Sequence, residues 1–263
     1  MVSTTAPNYF SVAIARLPGP DFAQGQTTYA GTPATAQSYD TLLAQHRAYL
    51  DTLRGFGLEV IVLDALPGFP DAYFVEDTAV VTPHVAVITR PGAPSRQGEE
   101  ATIADVLAQY RPIAHITAPG TVDGGDVMMV GNHFFIGLSD RTNASGAEQL
   151  GQILAAHGHT WETVPVAAGL HLKSSVNWVG GNTLLLSADF ADLPAFAGYD
   201  RVVSPKEEDY ACNTLWVNDR LIVPSGFPTI AAKLASLGHA IATLDMSEVQ
   251  RMDGGLSCLS LRF

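Results

Sequence analysis

Cysteine is scarce in this chain: Cys212 and Cys258 are the only two among 263 residues. Two thiols cannot build a disulfide framework, and Met1–Phe10 lacks the basic start and apolar run of a secretory signal. A reducing cytoplasm and two free thiols are therefore expected. Basic residues are also few. Lys and Arg number 14 against 26 Asp and Glu, a formal net charge of −12. Phosphate neutralisation needs clustered cations, so nucleic acid is excluded as a partner. No apolar run approaches the ~20 residues of a membrane span, so no membrane is expected either. A glycine-rich phosphate loop, a His-x-x-x-His helix motif and a Cys-x-x-Cys pair are all missing. No cofactor and no metal are predicted.

What is present is an ordinary globular composition, with 47% apolar and 15% charged residues. It suits one large α/β domain over residues 1–263, without an internal linker. A repeat runs through it: acidic or polar loop, apolar strand, tight turn, second strand, amphipathic helix, third strand. One copy places strands at Thr78–Thr82, Val85–Thr89 and Ile113–Thr117, with a helix near Glu99–Tyr110. The next places strands at Val127–Val130, Phe134–Leu138 and Trp161–Val166, with a helix near Thr142–His157. A third has strands Ser174–Trp178, Thr183–Ser187 and Arg201–Ser204, with a weak helix over Phe190–Phe196. A fourth has Thr214–Val217, Leu221–Val223 and Ala240–Leu244, with a helix over Pro228–Leu237. The fifth is split between the ends: Gly255–Arg262 pairs with Tyr9–Ala15, followed by a helix at Ser38–Leu53 and a strand at Leu58–Leu63. Pairing the two ends closes the ring and leaves no dangling edge. The expected architecture is five ββαβ units around a pseudo-fivefold axis. His157-Gly158-His159, at a helix end, reads as surface.

In a radial repeat, equivalent loops converge near the axis. The loops opening the repeats carry Asp71, Glu76 and Asp77, then Asp123 and Asp126, then His171, then Cys258. Asp123 lies 47 residues after Glu76 and 48 before His171, so these side chains occupy matched positions. Carboxylates around a pocket suit a guanidinium, a planar cation with several N–H donors. Its central carbon is a poor electrophile, and a thiolate is a nucleophile strong enough to attack it. His171 can protonate the departing amine and then activate water, with Asp123 orienting it. Each residue alone has a plainer role: a buried small thiol, a packed histidine, an Asp turn, a solvated loop.

Several segments carry a family resemblance: Phe74-Val75-Glu76-Asp77, Ile88 to Arg96 (ITRPGAPSR), Asp123-Gly124-Gly125-Asp126-Val127, Leu170-His171-Leu172-Lys173-Ser174, and Gly254-Gly255-Leu256-Ser257-Cys258. With Gly137-Leu138-Ser139-x-Arg141-Thr142-Asn143 they cover most of the chain. The chain resembles dimethylarginine dimethylaminohydrolases of the guanidine-modifying pentein superfamily. That resemblance implies a five-bladed α/β propeller and hydrolysis of Nω-methylated arginine to citrulline and a methylamine. It implies Cys258 as nucleophile, His171 as acid/base and Asp123 beside it. Asp71, Glu76 and Asp77 stand where acidic residues surround the guanidinium, and Arg96 and Arg141 where a pair holds the substrate carboxylate. Leu17 stands where a lid residue meets the α-amino end through its backbone, in a Gly/Pro/Gln/Thr-rich stretch from Leu17 to Pro33. Arginine deiminase is the competing activity, and a ribosome-associated factor without chemistry the non-enzymatic alternative.

Overall fold

The computed structural model describes residues 10–31 and 34–263. Tyr9, at the head of one expected strand, and Pro33, at the end of the expected lid, lie outside them. Strand β1 (Val12–Arg16) leads through α1 (Tyr39–Gly55) to β2 (Glu59–Leu63). The second unit has β3 (Ala79–Val81), β4 (Ala86–Ile88), α2 (Ala101–Leu107) and β5 (Ile113–His115). The third has β6 (Val127–Val130), β7 (His133–Leu138), α3 (Ala144–Ala156) and β8 (Thr160–Pro165). The fourth opens with the single turn α4 (Leu172–Ser175), then β9 (Val176–Trp178), β10 (Thr183–Leu186) and β11 (Asp200–Val203). Strands β12 (Leu215–Val217) and β13 (Arg220–Pro224), α5 (Pro228–Ser236) and β14 (Ala240–Leu244) make the fifth. The turn α6 (Ser247–Gln250) and strand β15 (Leu261–Arg262) return the chain to β1.

These strands form five three-stranded mixed sheets. In each, an antiparallel hairpin is followed by a parallel strand, as β6–β7 and β7–β8 show. The closing sheet pairs Ala13 with Arg262 and Ile14 with Leu261, so opposite ends of the described chain share a blade. The middle strands are largely buried: Val12–Arg16 and Ala86–Ile88 are buried throughout. The third strand is largely open to solvent, as in Asp200–Val203. Continuous apolar runs such as Leu221-Ile222-Val223 follow from that burial on both faces. Asn218 and Asp219 both take positive φ, 50° and 63°, between β12 and β13, as a two-residue hairpin turn requires. No helix among the described residues is long and apolar enough to cross a membrane.

Helix α1 buries Leu42, His46, Tyr49, Leu50 and Leu53, one stripe at spacings of three and four. Asn143 caps α3 by accepting from the Gly146 N–H, a contact worth about 1 kcal/mol. Two expectations change. The crossover of the fourth unit is two 3-10 turns, Ala188–Phe190 and Pro194–Phe196, because Pro194 cannot continue a helix begun at Phe190. His159 is buried, its N–H bonded back to the Leu154 carbonyl at the end of α3 and its ring edge-on to Phe134 with centroids 5.1 Å apart.

Candidate active site

The segments entering the first strand of four blades meet at one end of the molecule. They are the 3-10 turn Val75–Thr78 before β3, Gly124–Asp126 before β6, α4 before β9, and Ser257–Leu259 before β15. Close packing there explains the glycines beside Asp123. A Cβ on Gly124 would lie 2.0 Å from the Glu76 carbonyl oxygen, and one on Gly125 2.6 Å from His171 Nδ1. Gly255 has the same reason, since a Cβ would meet the Asn213 amide at 2.3 Å.

His171 is held by carboxylates. Its Nε2 lies 3.0 Å from Asp123 Oδ2, and its Nδ1 lies 4.0 Å from Asp77 Oδ1. Asp123 is wholly buried, and its other oxygen accepts the Gly92 N–H at 2.8 Å. Burial alone would lower the His171 pKa, but Asp77, the Asp123 hydrogen bond and Asp126 outweigh it and lift it to about 9. Burial would likewise raise Asp123, yet the His171 hydrogen bond and charge hold it below the usual carboxylate range. Asp126 serves the scaffold: it accepts from the Leu172 N–H and from the Ser139 and Thr142 hydroxyls.

Cys258 and His171 line one small cavity of about 30 Å³, together with Asp71, Asp77, Arg96 and Arg141. Burial, then Glu76 and Asp77, pushes the Cys258 thiol up to about 12. At neutral pH these shifts favour a thiol and an imidazolium lining the same cavity. Asp71 accepts the Gln26 N–H on Oδ2 at 3.1 Å, while its buried Oδ1 has no hydrogen-bond partner. Arg141 Nη2 donates to Gln26 Oε1 at 2.7 Å.

The other expected residues divide. Arg96 lines the cavity but is committed inward: Nη1 donates to Asp77 Oδ2 at 2.5 Å, Nη2 to Glu99 at 2.7 Å and to the Phe74 carbonyl at 3.1 Å. Its Nε also faces Glu99, so of its five N–H donors about one, on Nη1, remains. Glu76 does not line this cavity. It is buried behind it, with Lys173 Nζ at 2.7 Å and Arg262 Nη2 at 3.0 Å from Oε1 and the Ser257 hydroxyl donating to Oε2. Leu17 is not among the residues that line the cavity; its N–H extends the β1–β2 pairing by donating to the Leu63 carbonyl. From the same loop it is Gln26 that reaches the cavity.

Gln26, Asp253, Leu170 and Met252 line the cavity without having been singled out from sequence. Asp253 has φ of 55° and accepts from both the Thr28 N–H and hydroxyl, tying the Gln26 loop down over the cavity. The run Asp253-Gly254-Gly255 is a turn signal that could have pointed to it; nothing distinguishes Gln26 from its polar neighbours.

Asp77, Asp123 and His171 offer three ligand atoms within 4.8 Å of one another, a geometry that could hold a cation. Each atom already has a partner: Asp77 takes Arg96 and the Gly125 N–H, and Asp123 takes His171 and Gly92. The cluster reads as a charge network oriented on a histidine.

Similar proteins share this arrangement of chain. An N(G),N(G)-dimethylarginine dimethylaminohydrolase of Pseudomonas aeruginosa is 42% identical over 257 residues, 97% of this chain and all of the relative. The chain belongs to the dimethylarginine dimethylaminohydrolase family. A second member, from Streptomyces coelicolor, is 35% identical over 95% of this chain and 96% of its own length. The arginine deiminase family profile matches residues 59–177. The Pseudomonas family member solved as a cysteine-to-serine variant with citrulline superposes with a TM-score of 0.93, at 41% identity over 97% of this chain and all of that one. A saxitoxin-pathway amidinotransferase of Microseira wollei, 14% identical, shares the fold with a TM-score of 0.82 over 98% of this chain and 95% of its own. The fold is the five-bladed α/β propeller of the penteins.

Proposed function

We propose that this chain is a dimethylargininase, hydrolysing asymmetric dimethylarginine and monomethylarginine to citrulline and a methylamine. The observation that carries the reading is Cys258 in one cavity with the His171–Asp123 pair, a partnerless Asp71 oxygen and Arg141. The cysteine-to-serine relative with citrulline, and a histidine-to-glycine relative solved as an adduct with S-methyl-L-thiocitrulline, support the same two residue types.

The guanidinium enters beside Asp71 and Asp77, and its positive charge offsets the carboxylates that hold Cys258 as a thiol. The thiol gives its proton to solvent, and the sulfur attacks the guanidinium carbon. The tetrahedral adduct expels the methylated amine, which takes a proton from Nδ1 of the His171 imidazolium while Nε2 stays on Asp123. Neutral His171 then takes a proton from water as that water attacks the thiouronium carbon. Collapse of this adduct expels the Cys258 sulfur, which takes up the hydroxyl proton as the citrulline carbonyl forms. Arg141 faces the substrate carboxylate, which replaces the Gln26 amide, and the remaining Nη1 donor of Arg96 assists. The resting cavity has room for about two waters, so the Gln26 loop must shift for substrate to enter. Residues 1–263 act as one catalytic unit in the cytoplasm, without nucleic acid or membrane partners, in keeping with the −12 charge.

The arginine deiminase profile favours arginine as the second candidate substrate. Citrulline assays of the purified protein with asymmetric dimethylarginine and with arginine separate the two. Citrulline from the methylated substrate is expected; conversion of arginine alone would overturn the assignment.

A further inference from the structure

The residues beside the catalytic ones face away from the substrate. Glu76, Lys173 and Ser257, next to Asp77, near His171 and next to Cys258, line a second cavity of about 160 Å³ that also contains Ser260 and Arg262. Among the described residues that line it, Arg262 alone bonds the backbone on both sides of Cys258. Its Nη1 donates to the Ser257 carbonyl at 3.1 Å, the Ser260 carbonyl at 2.6 Å and the Ser260 hydroxyl at 2.8 Å. Its Nη2 donates to Glu76 at 3.0 Å, and the Tyr49 hydroxyl braces Ser260 at 2.7 Å. Strand β15 meets β1 through two residue pairs, and on the near side of the turn the Ser257 N–H donates to Asn213 Oδ1 at 2.9 Å and its hydroxyl to Glu76; Arg262 joins that side to Ser260 beyond the sulfur.

We propose that Arg262 is a positioning residue for the nucleophile: its guanidinium clamps the turn that carries Cys258 and, with Lys173, balances the Glu76 charge behind the sulfur. The inference rests on Cys258 being the nucleophile of the proposed hydrolysis. A fork of donors is what the geometry uses, since two carbonyls and a carboxylate are met at once. Glu76 and Asp77 act on the Cys258 thiol from the turn before β3 and Lys173 from α4, with the Tyr73 and Tyr210 hydroxyl groups nearby. Loss of the Arg262 charge leaves Glu76 with one cation in place of two.

Arg262→Lys keeps the charge and loses the fork; Arg262→Gln loses both. For the Lys variant, kcat on asymmetric dimethylarginine is expected to fall roughly tenfold with KM within about twofold. Its pH profile for iodoacetamide alkylation of Cys258 is expected to match that of the unaltered chain. The Gln variant is expected to show the same loss and an alkylation midpoint moved to higher pH. All rates are referred to the folded fraction measured by circular dichroism. An unchanged kcat in the Lys variant overturns the proposal, as does a loss that disappears after that correction. Should Arg262→Gln not fold, the Lys variant decides alone. If the unaltered chain makes no citrulline from methylated arginine, the functional reading has failed, and the alkylation shift in the Gln variant decides the positioning role by itself.

Discussion

Asp123→Asn tests the catalytic pair with the least disturbance of shape. The Gly92 N–H donates to Asp123 Oδ1 at 2.8 Å, so an asparagine would turn its oxygen toward Gly92 and its NH₂ toward His171. The Nε2 of His171, 3.0 Å away, would then have to accept a hydrogen bond. That fixes the neutral tautomer with its proton on Nδ1, a far weaker acid than the imidazolium. The rise of His171 from 6.5 to about 9 is worth about 3 kcal/mol of preference for the charged ring. Asp77 supplies more of that preference by charge than Asp123 does, so the substitution removes part of it. A fall in kcat between about tenfold and a few hundredfold is expected.

The assay is the pH dependence of kcat and kcat/KM for asymmetric dimethylarginine. In the unaltered chain the imidazolium is lost as pH rises through about 9, and in the variant this alkaline limb should move downward. Stability follows the same sign. A histidine raised above its unfolded value contributes fully below about 6.5, and its contribution disappears as pH climbs through about 9. Denaturant titrations on either side of that window should show the fall in the unaltered chain and a smaller one in Asp123→Asn. An unchanged kcat with an unmoved alkaline limb refutes the assignment of His171 as acid and Asp123 as its partner.

Cys258→Ser should fold normally, form no citrulline and still bind methylated arginine by calorimetry, since serine has no thiolate to offer; measurable turnover contradicts it. Arg141→Lys should raise KM about tenfold with kcat nearly kept, because a point charge cannot copy a fork of donors. Arg96→Ala should instead show in the unfolding midpoint, with a loss of about 3–5 kcal/mol, because it leaves Asp77 and Glu99 buried without their cation. An Arg96→Ala variant as stable as the unaltered chain, with only KM raised, would reverse that distinction.

The placing of Asp77, Asp123, His171 and Cys258 together could be read before any coordinates, because they stand in the loops that open the repeats. Strand periodicity and hairpin turns located the repeats, and Asp123 and His171 fall 48 residues apart at matched loops. What the pattern does not resolve is direction within a loop. In a 3-10 turn successive side chains diverge by about 120°, so Glu76 and Asp77 face opposite cavities although they are adjacent. The same holds for Ser257 and Cys258. Arg96 and Arg141 look alike in sequence, yet one sits inside a carboxylate network and the other reaches the loop above it. Leu17 and Gln26 are separated by an irregular stretch with no period to follow, and only the bond from the Leu17 N–H to the Leu63 carbonyl shows that Leu17 still lies against the end of the β1–β2 pair.

Direction also decides what the acidic ring can do. A carboxylate attracts a guanidinium only so far as its charge is not already answered. Glu76 is answered by Lys173 and Arg262, Asp77 by Arg96, and Asp123 by His171. Asp71 is the exception: one oxygen takes a single backbone N–H and the other takes nothing, while burial pushes its pKa up. A buried acceptor without a donor costs about 1–3 kcal/mol, a cost that an arriving N–H donor removes. On the proposed function, the pull on substrate therefore comes mainly from Asp71, and the other three carboxylates hold in place the cations and the imidazole around the cavity.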